Sequence, residues 1–179
     1  MLVSFNKPYQ VLSQFTDNSG RATLSDYIDI KNIYSIGRLD YDSEGLMLLT
    51  DDGLLKHNLS NPNKKVNKVY LLQVEGIAKV IHVDLLSNGV KLKDGNAKAV
   101  STRILLKQPA FVWKRNPPIR QRKNSPTSWL EITINEGRNR QVRRMMAHVG
   151  LPVLRLIRLQ IGHYKLNQLS IGDFKILDA

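Results

Sequence analysis

The chain has 179 residues, with 27 Lys and Arg against 15 Asp and Glu, a net charge of +12 and no cysteine. This length predicts one domain, or two subdomains that share a core, and 42% apolar residues exclude a disordered chain. Without cysteine, disulfides, thiolate catalysis, iron–sulfur clusters and cysteine-based zinc sites are excluded. No secretory signal and no membrane-spanning apolar run is visible, so we expect a soluble, cytoplasmic protein.

The hydrophobic pattern predicts many short strands and few helices. In chain order, the predicted elements are a strand at Leu2–Phe5, a short helix at Leu24–Ile28, strands at Ile33–Ile36, Leu46–Thr50 and Val69–Val74, a helix at Val80–Leu86, strands at Val90–Leu92, Val100–Leu106 and Leu130–Ile134, a helix at Val142–Val149, and a strand at Val153–Leu159. Because strands and helices do not alternate regularly, this order favours an α+β fold with a mixed, largely antiparallel sheet.

Three local signals carry most of this prediction. Apolar and polar residues alternate over Leu130–Ile134, as in a half-buried strand. The i, i+3, i+4, i+7 spacing over Val142–Val149 is typical of an amphipathic helix, which Gly150 would end. Asp51-Asp52-Gly53 predicts a turn after a buried strand. The proline-rich stretch Lys107–Thr127 has no periodicity, and a loop of that length is usually functional or disordered.

The positive charge indicates a polyanionic partner, and its clustering favours a folded cationic surface over a basic tail. One cluster holds four arginines within seven residues: Arg138, Arg140, Arg143 and Arg144. The other lies in the proline-rich stretch: Lys114, Arg115, Arg120, Arg122 and Lys123.

The densest polar segment is Gly37–Gly45, with carboxylates at Asp40, Asp42 and Glu44. An EF-hand is excluded, because its seventh and ninth ligand positions would fall in an apolar run that predicts a buried strand. A divalent-metal nuclease built on these carboxylates stays an alternative, although no histidine or distant carboxylate motif supports it. A carboxylate in a cationic groove is favoured in its charged form and can act as a nucleophile. Spacing alone does not choose among Asp40, Asp42, Asp51 and Asp52.

In several separate motifs, the sequence resembles the small/large ribosomal subunit pseudouridine synthases. The matching motifs occur in order along nearly the whole chain: Asn6-Lys7-Pro8; Gly37-Arg38-Leu39-Asp40 with Ser43, Gly45–Thr50 and Asp52-Gly53; Lys68-Val69-Tyr70 with Val74-Glu75-Gly76; Glu136–Met145; and Leu156-Ile157-Arg158 with Ile161-Gly162. Arg115–Arg120, Arg122-Lys123 and Pro126–Leu130 are similar to an insertion of the large-subunit synthase E branch.

The resemblance implies a fold and a domain organisation. We expect a pseudouridine synthase catalytic fold with two subdomains around a central cleft, and a single catalytic domain over residues 1–179. Many family members carry an additional N-terminal S4 RNA-binding domain, which this sequence does not show. RNA recognition would therefore come from the catalytic domain, with 107–127 as a basic, proline-rich insertion. The alternative for 107–127 is a solvated linker between two strands.

The resemblance also implies an activity and residue roles. The activity would be cofactor-free isomerisation of a specific uridine in bacterial large-subunit (23S) rRNA, with no metal. Asp40 would be the nucleophile, Arg143 its ion-pair partner and Tyr70 the base-stacking residue. Whether Asp40 attacks C1′ or C6, or removes a sugar proton, stays open. The implied RNA contacts are Arg38, Lys7, Arg138, Arg140, Arg144, Arg115, Arg120, Arg122 and Lys123, with Lys7 mainly structural at the edge of the site.

The expected partner is rRNA of the large subunit or its precursor, without a membrane, and the expected state is a monomer. The alternative from another class is a non-catalytic rRNA-binding or ribosome-assembly protein. It explains the charge equally well, but gives no reason for an aspartate beside Arg38 in a cationic cleft.

Overall fold

The computed structural model describes residues 1–120 and 125–177. The strands are β1 (Leu2–Lys7), β2 (Tyr34–Ile36), β3 (Glu44–Thr50), β4 (Lys68–Glu75), β5 (Val90–Leu92), β6 (Gly95–Ala97), β7 (Ser101–Leu105), β8 (Thr127–Ile134), β9 (Val153–Ile161), β10 (Tyr164–Lys165) and β11 (Phe174–Leu177). The α-helices are α1 (Gly53–Ser60), α2 (Val80–Asn88) and α3 (Gln141–His148). None of these described helices is long and apolar enough to cross a membrane.

The chain divides into two compact units, in agreement with the two subdomains that were predicted. Unit 1 is Met1–Val66 together with the segment from Ile157 onward, and unit 2 is Asn67–Leu156. The mixed, mostly antiparallel sheet and the α+β class are confirmed.

In unit 1, β1 lies between β11 and β3 and is antiparallel to both. β3 also pairs antiparallel with β2, and parallel with β9 at Glu44–Ile157 and Gly45–Arg158. Every residue of β3 is buried, which explains why Leu46–Leu49 form a continuous apolar run rather than an alternating pattern. β3 therefore forms the centre of the unit 1 core.

In unit 2, β8 pairs antiparallel with both β4 and β7, and β5 and β6 form a separate hairpin. The alternation predicted for Leu130–Ile134 is confirmed, because Leu130, Ile132 and Ile134 are buried and the residues between them are not. α3 buries Val142, Met145 and Met146. Gly150 follows α3 with φ +81°, a backbone conformation that glycine adopts without a steric penalty.

The turn predicted at Asp51-Asp52-Gly53 is wrong in part, because α1 begins there. The Asp52 carboxylate accepts hydrogen bonds from the backbone N–H groups of Leu54 and Leu55, at 2.8 and 3.1 Å. It is therefore the N-cap of α1. α1 has no buried residue, and Leu54 is 78% exposed. The helix was missed because it lacks an apolar stripe, which is the signal that sequence reasoning uses.

The short helix predicted at Leu24–Ile28 is a 3-10 turn over Leu24–Asp26. The Asp26 carboxylate accepts a hydrogen bond from the backbone N–H of Thr23 at 2.7 Å, which holds the turn closed. Thr23 therefore lies at the N-terminus of the turn, which does not extend into the predicted helix.

Candidate active site

The loop 37–43, between β2 and β3, carries Asp40 and Asp42 and is fastened to the segment after β1. The Ser13 hydroxyl accepts a hydrogen bond from Leu39 N at 3.0 Å and donates one to Leu39 O at 2.6 Å. One hydroxyl therefore holds both backbone groups of the residue before Asp40. Gln10 N donates to Tyr41 O at 2.8 Å, on the other side of Asp40.

A turn within the loop adds a third constraint, because Ser43 N donates to Asp40 O at 3.0 Å. Gly37 starts the loop with φ +71°, in the region that favours glycine. The backbone on both sides of Asp40 is thus fixed by hydrogen bonds, while the Asp40 side chain stays partly exposed. This arrangement fits a carboxylate that must be held in place and still be reached by a substrate.

Two of the four candidate aspartates have structural roles. Asp51 forms an ion pair with the N-terminal ammonium group of Met1, and this hydrogen bond lowers the pKa of Asp51. Asp52 is the N-cap of α1. Asp40 and Asp42 are the two that lie in the fastened loop.

Lys7 lies beneath this loop and is completely buried. Its ammonium nitrogen donates hydrogen bonds to Pro8 O and Val11 O, both at 2.8 Å. Burial lowers the pKa of Lys7 to about 7, against the attraction of Glu44, Asp42 and Asp40. A buried ammonium does not reach a phosphate in this conformation, and the predicted RNA contact by Lys7 stays a prediction. Its structural role at the edge of the site agrees with the geometry.

Arg158 of β9 is a second buried cation in unit 1, and its charge further lowers the pKa of Lys7. The Arg158 Nε donates to Leu46 O at 2.8 Å. The Arg158 backbone packs directly on Gly45, where an added Cβ would lie 2.4 Å from Arg158 O. Gly45 also has φ +101°. Gly45 is therefore required at the start of β3 by both space and backbone conformation.

Tyr70 and Arg143 both belong to unit 2. Tyr70 lies on β4 opposite Ile132 of β8 and is 8% exposed. Arg143 lies in α3, between the buried residues Val142 and Met145, and donates from Nη1 to Val153 O at 3.4 Å. Asp40 belongs to unit 1, so its ion pair with Arg143 and the base-stacking role of Tyr70 stay predictions.

Two of the predicted RNA contacts, Arg138 and Arg144, belong to an ion-pair cluster around the β5–β6 turn. Arg144 binds both Asp94 oxygens, at 2.8 and 2.9 Å, and this bidentate contact lowers the pKa of Asp94. Arg138 binds Asp94 and Glu136, and donates to the backbone carbonyls of Gly95 and Asn96. Asp94 lies in the turn between β5 and β6. The spacing of the sequence does not connect Asp94 with Arg138 or Arg144, so these ion pairs could not be predicted before the fold was known.

The other predicted RNA contacts are mostly exposed. Arg38 donates to the Gln14 side chain at 3.3 Å, and Arg140 precedes α3 with φ +47°. Arg115 is half-buried and donates to Pro117 O and Leu154 O, whereas Arg120 is exposed. Arg122 and Lys123 lie outside the described residues.

The described residues contain no group of three or more His, Asp or Glu side chains placed to hold a metal ion. Asp40, Asp42 and Glu44 are all within the described part of the chain. The metal-nuclease alternative therefore gains no support from their arrangement.

Comparison with known proteins identifies the class. The family model for RNA pseudouridylate synthase matches residues 1–148. A solved structure described as a pseudouridylate synthase superposes with a TM-score of 0.78 at 26% identity, over 99% of this chain and 70% of that one. The chain belongs to the RNA pseudouridylate synthase family, which confirms the predicted isomerase and sets aside the non-catalytic alternative.

Two curated relatives indicate which branch of the family the chain resembles. Ribosomal large subunit pseudouridine synthase E of Vibrio parahaemolyticus is 51% identical over 97% of this chain and 72% of its own length. The protein of the same name from Xanthomonas campestris pv. campestris is 50% identical over 100% of this chain and 96% of its own length. The resemblance to the synthase E branch is therefore confirmed.

Proposed function

We propose that this enzyme converts a specific uridine of bacterial 23S rRNA into pseudouridine, in the cytoplasm, with Asp40 as the nucleophile. The large-subunit substrate is supported by identities of 50–51% to relatives named for that activity. The role of Asp40 is supported by the loop that fixes its backbone on both sides and leaves the residue partly exposed. That loop is the observation that carries the mechanism.

The reaction breaks the bond between uracil N1 and ribose C1′, turns the base and forms a bond between C5 and C1′. The proton on C5 is lost to water and N1 gains one, so atoms and charges balance without an oxidant or reductant. Substrate and product are isomers, so the reaction consumes no electron or group donor, and we propose that the enzyme acts without a cofactor. Attack of the Asp40 carboxylate on C1′, or removal of a sugar proton, would break the N1–C1′ bond with the uracil as leaving group, so that noncovalent contacts must hold the base while it turns. Attack on C6 would instead keep the uracil bound covalently to Asp40.

Arg143 and Tyr70 complete the proposed site. A planar guanidinium can bind a carboxylate through two parallel hydrogen bonds, which would keep Asp40 ionised and oriented. The Tyr70 ring would stack on the uracil. The target uridine is stacked within RNA, so it must be turned out of the helix, at a cost of a few kcal/mol. The net charge of +12 supplies attraction for the phosphates that accompany it.

A tritium-release assay on 23S rRNA labelled at uracil C5 tests the proposal. We expect the wild-type enzyme to release tritium and Asp40→Asn to release none above background. Asp29→Asn is the matched control, because it removes the same charge from an exposed position of unit 1. Tritium release by Asp40→Asn would move the nucleophile elsewhere, with Asp42→Asn as the next variant. Tritium release from labelled small-subunit rRNA, without release from 23S rRNA, would contradict the proposed large-subunit substrate.

A further inference from the structure

Unit 2 contains a cavity of about 680 Å³ that the proposed chemistry does not use. Its walls come from the end of β4, from residues 113–120 of the proline-rich stretch, from the beginning of β8 and from the beginning of β9. Tyr70 and Arg143, the proposed catalytic residues of the same unit, are not among its described lining residues. The volume is within the range of about 300–1,000 Å³ that is usual for small-ligand sites.

Two arginines hold the walls of this cavity together. Arg155 is only 5% exposed; its guanidinium lies 5.5 Å from the Trp113 ring centre and donates to Trp113 O at 2.9 Å. Arg115 donates to Leu154 O at 3.3 Å and to Pro117 O at 2.9 Å. The hydrogen bonds from Arg155 to Trp113 O and from Arg115 to Leu154 O both fasten the 113–117 segment to β9. The cavity is thus a preformed feature of unit 2, which lowers the entropy lost when a ligand binds.

The lining combines cations, an aromatic ring and neutral hydrogen-bonding groups. The four cationic side chains are Lys114, Arg115, Arg120 and Arg155, against one carboxylate, Glu75. Trp113 is half-buried, and Lys114 and Arg120 are exposed. Gln73 and Thr127 add an amide and a hydroxyl that can both donate and accept. Excess positive charge selects an anion, whereas a ring beside amide groups suits a flat, polar base.

A nucleotide has all three complementary parts: an anionic phosphate, a planar face and a base edge with donors and acceptors. We propose that this cavity binds one unpaired nucleotide of the RNA substrate, separate from the uridine that is isomerised. The inference rests on the proposed function, because it takes the substrate to be rRNA. Lys114 and Arg120 contact its phosphate, and the walls at Trp113, Gln73 and Thr127 contact the base. The proline-rich stretch is then an RNA-binding element rather than a linker.

Filter binding of the full-length protein to unmodified 23S rRNA transcript tests this inference. Lys114→Ala/Arg120→Ala removes both cations that contact this phosphate, so the slope of log K against log salt should flatten by about 0.7. Lys91→Ala/Lys98→Ala is the matched control, because both lysines are exposed in unit 2 outside the cavity. We expect the control to change the slope by much less.

A steric variant distinguishes binding inside the cavity from nonspecific electrostatic attraction of the RNA. Thr127→Trp keeps the net charge and places a large side chain in the cavity from an exposed strand position. Loss of a stacked base should weaken RNA binding by about tenfold. Gln73→Trp repeats the test from β4, in case the first variant folds poorly. Unchanged affinity in a folded steric variant would overturn the inference even if the charge variant binds weakly.

Two further results distinguish the possible failures. Free uridine and adenosine 5′-monophosphates are tested for binding to the wild type and to Thr127→Trp. Binding that Thr127→Trp abolishes, without any change in RNA affinity, would make the cavity a site for free nucleotides and overturn the RNA assignment. RNA binding is measured separately from tritium release. A wild type that forms no pseudouridine therefore contradicts the proposed function, whereas unchanged binding by the variants contradicts only the cavity.

Discussion

Replacing the buried lysine beneath the catalytic loop by methionine should destabilise the protein in a pH-dependent way. Lys7→Met keeps the apolar stem and removes the amine that binds Pro8 O and Val11 O. Each buried carbonyl left without a donor costs about 1–3 kcal/mol. We expect a decrease of about 2–5 kcal/mol in the free energy of unfolding at alkaline pH, where the amine is neutral, and a smaller decrease at pH 7.

The pH dependence follows from the lowered pKa of Lys7, about 7 in the folded protein against an ordinary value of 10.5. Between these two values the unfolded chain holds the proton that the folded chain has released. Removing protons from solution then favours the folded state, so this contribution to stability rises with pH across that window. The slope approaches about 1.4 kcal/mol per pH unit. A neutral amine still has two N–H groups, which is enough for Pro8 O and Val11 O.

Urea unfolding at pH 7, 8 and 9, followed by far-ultraviolet circular dichroism, measures this difference. Tryptophan fluorescence is unsuitable, because Trp113 and Trp129 both lie in unit 2 while Lys7 lies in unit 1. Lys31→Met, at an exposed position of unit 1, is the control for a lost charge. The stability gap between wild type and Lys7→Met should widen as pH rises. A gap that stays constant or narrows would refute the assignment of a buried, readily deprotonated amine.

Three further substitutions test the site. Asp40→Asn should keep its Kd for 23S rRNA within about twofold, because the lost charge is negative and the partner is a polyanion; much weaker binding in a filter assay would give Asp40 a role in recognition. Arg143→Ala should lose turnover by orders of magnitude in the tritium assay, with partial recovery in Arg143→Lys, and a fully active Arg143→Ala would contradict the ion pair. Gly45→Ala should lower the free energy of unfolding by about 3 kcal/mol or more, because its Cβ would lie 2.4 Å from Arg158 O at φ +101°. An unchanged Tm would show that the β3–β9 pairing can shift.

Local sequence patterns predicted elements wherever an apolar face is buried. The alternation in β8 and the helical spacing in α3 were sufficient, because packing in the core is what produced those patterns. The same reasoning missed α1, whose Asp52 cap is clear but whose apolar stripe is absent. Patterns therefore identify buried elements better than exposed ones.

The site was predicted through motifs more than through local physics. Four aspartates were equivalent by spacing, and only the fold assigns Asp51 to the N-terminal ammonium and Asp52 to a helix cap. Lysine is almost always exposed, so nothing in the sequence indicated that Lys7 is buried. The ion pair between Asp94 and Arg144 connects residues that are 50 positions apart in the sequence, so only the tertiary structure reveals it.

The division of the chain also has a consequence for the order of folding. Unit 2 is one continuous stretch, whereas β1 of unit 1 pairs with β11 near the other end of the chain. Asn6 is held from that end as well, by contacts with Leu169, Gly172 and Asp173. During synthesis, unit 2 can be completed while β1 has β3 beside it but still lacks β11. Pulse hydrogen exchange during refolding should therefore protect β4 and β8 before β1, since long-range pairing is slow; simultaneous protection would contradict this order.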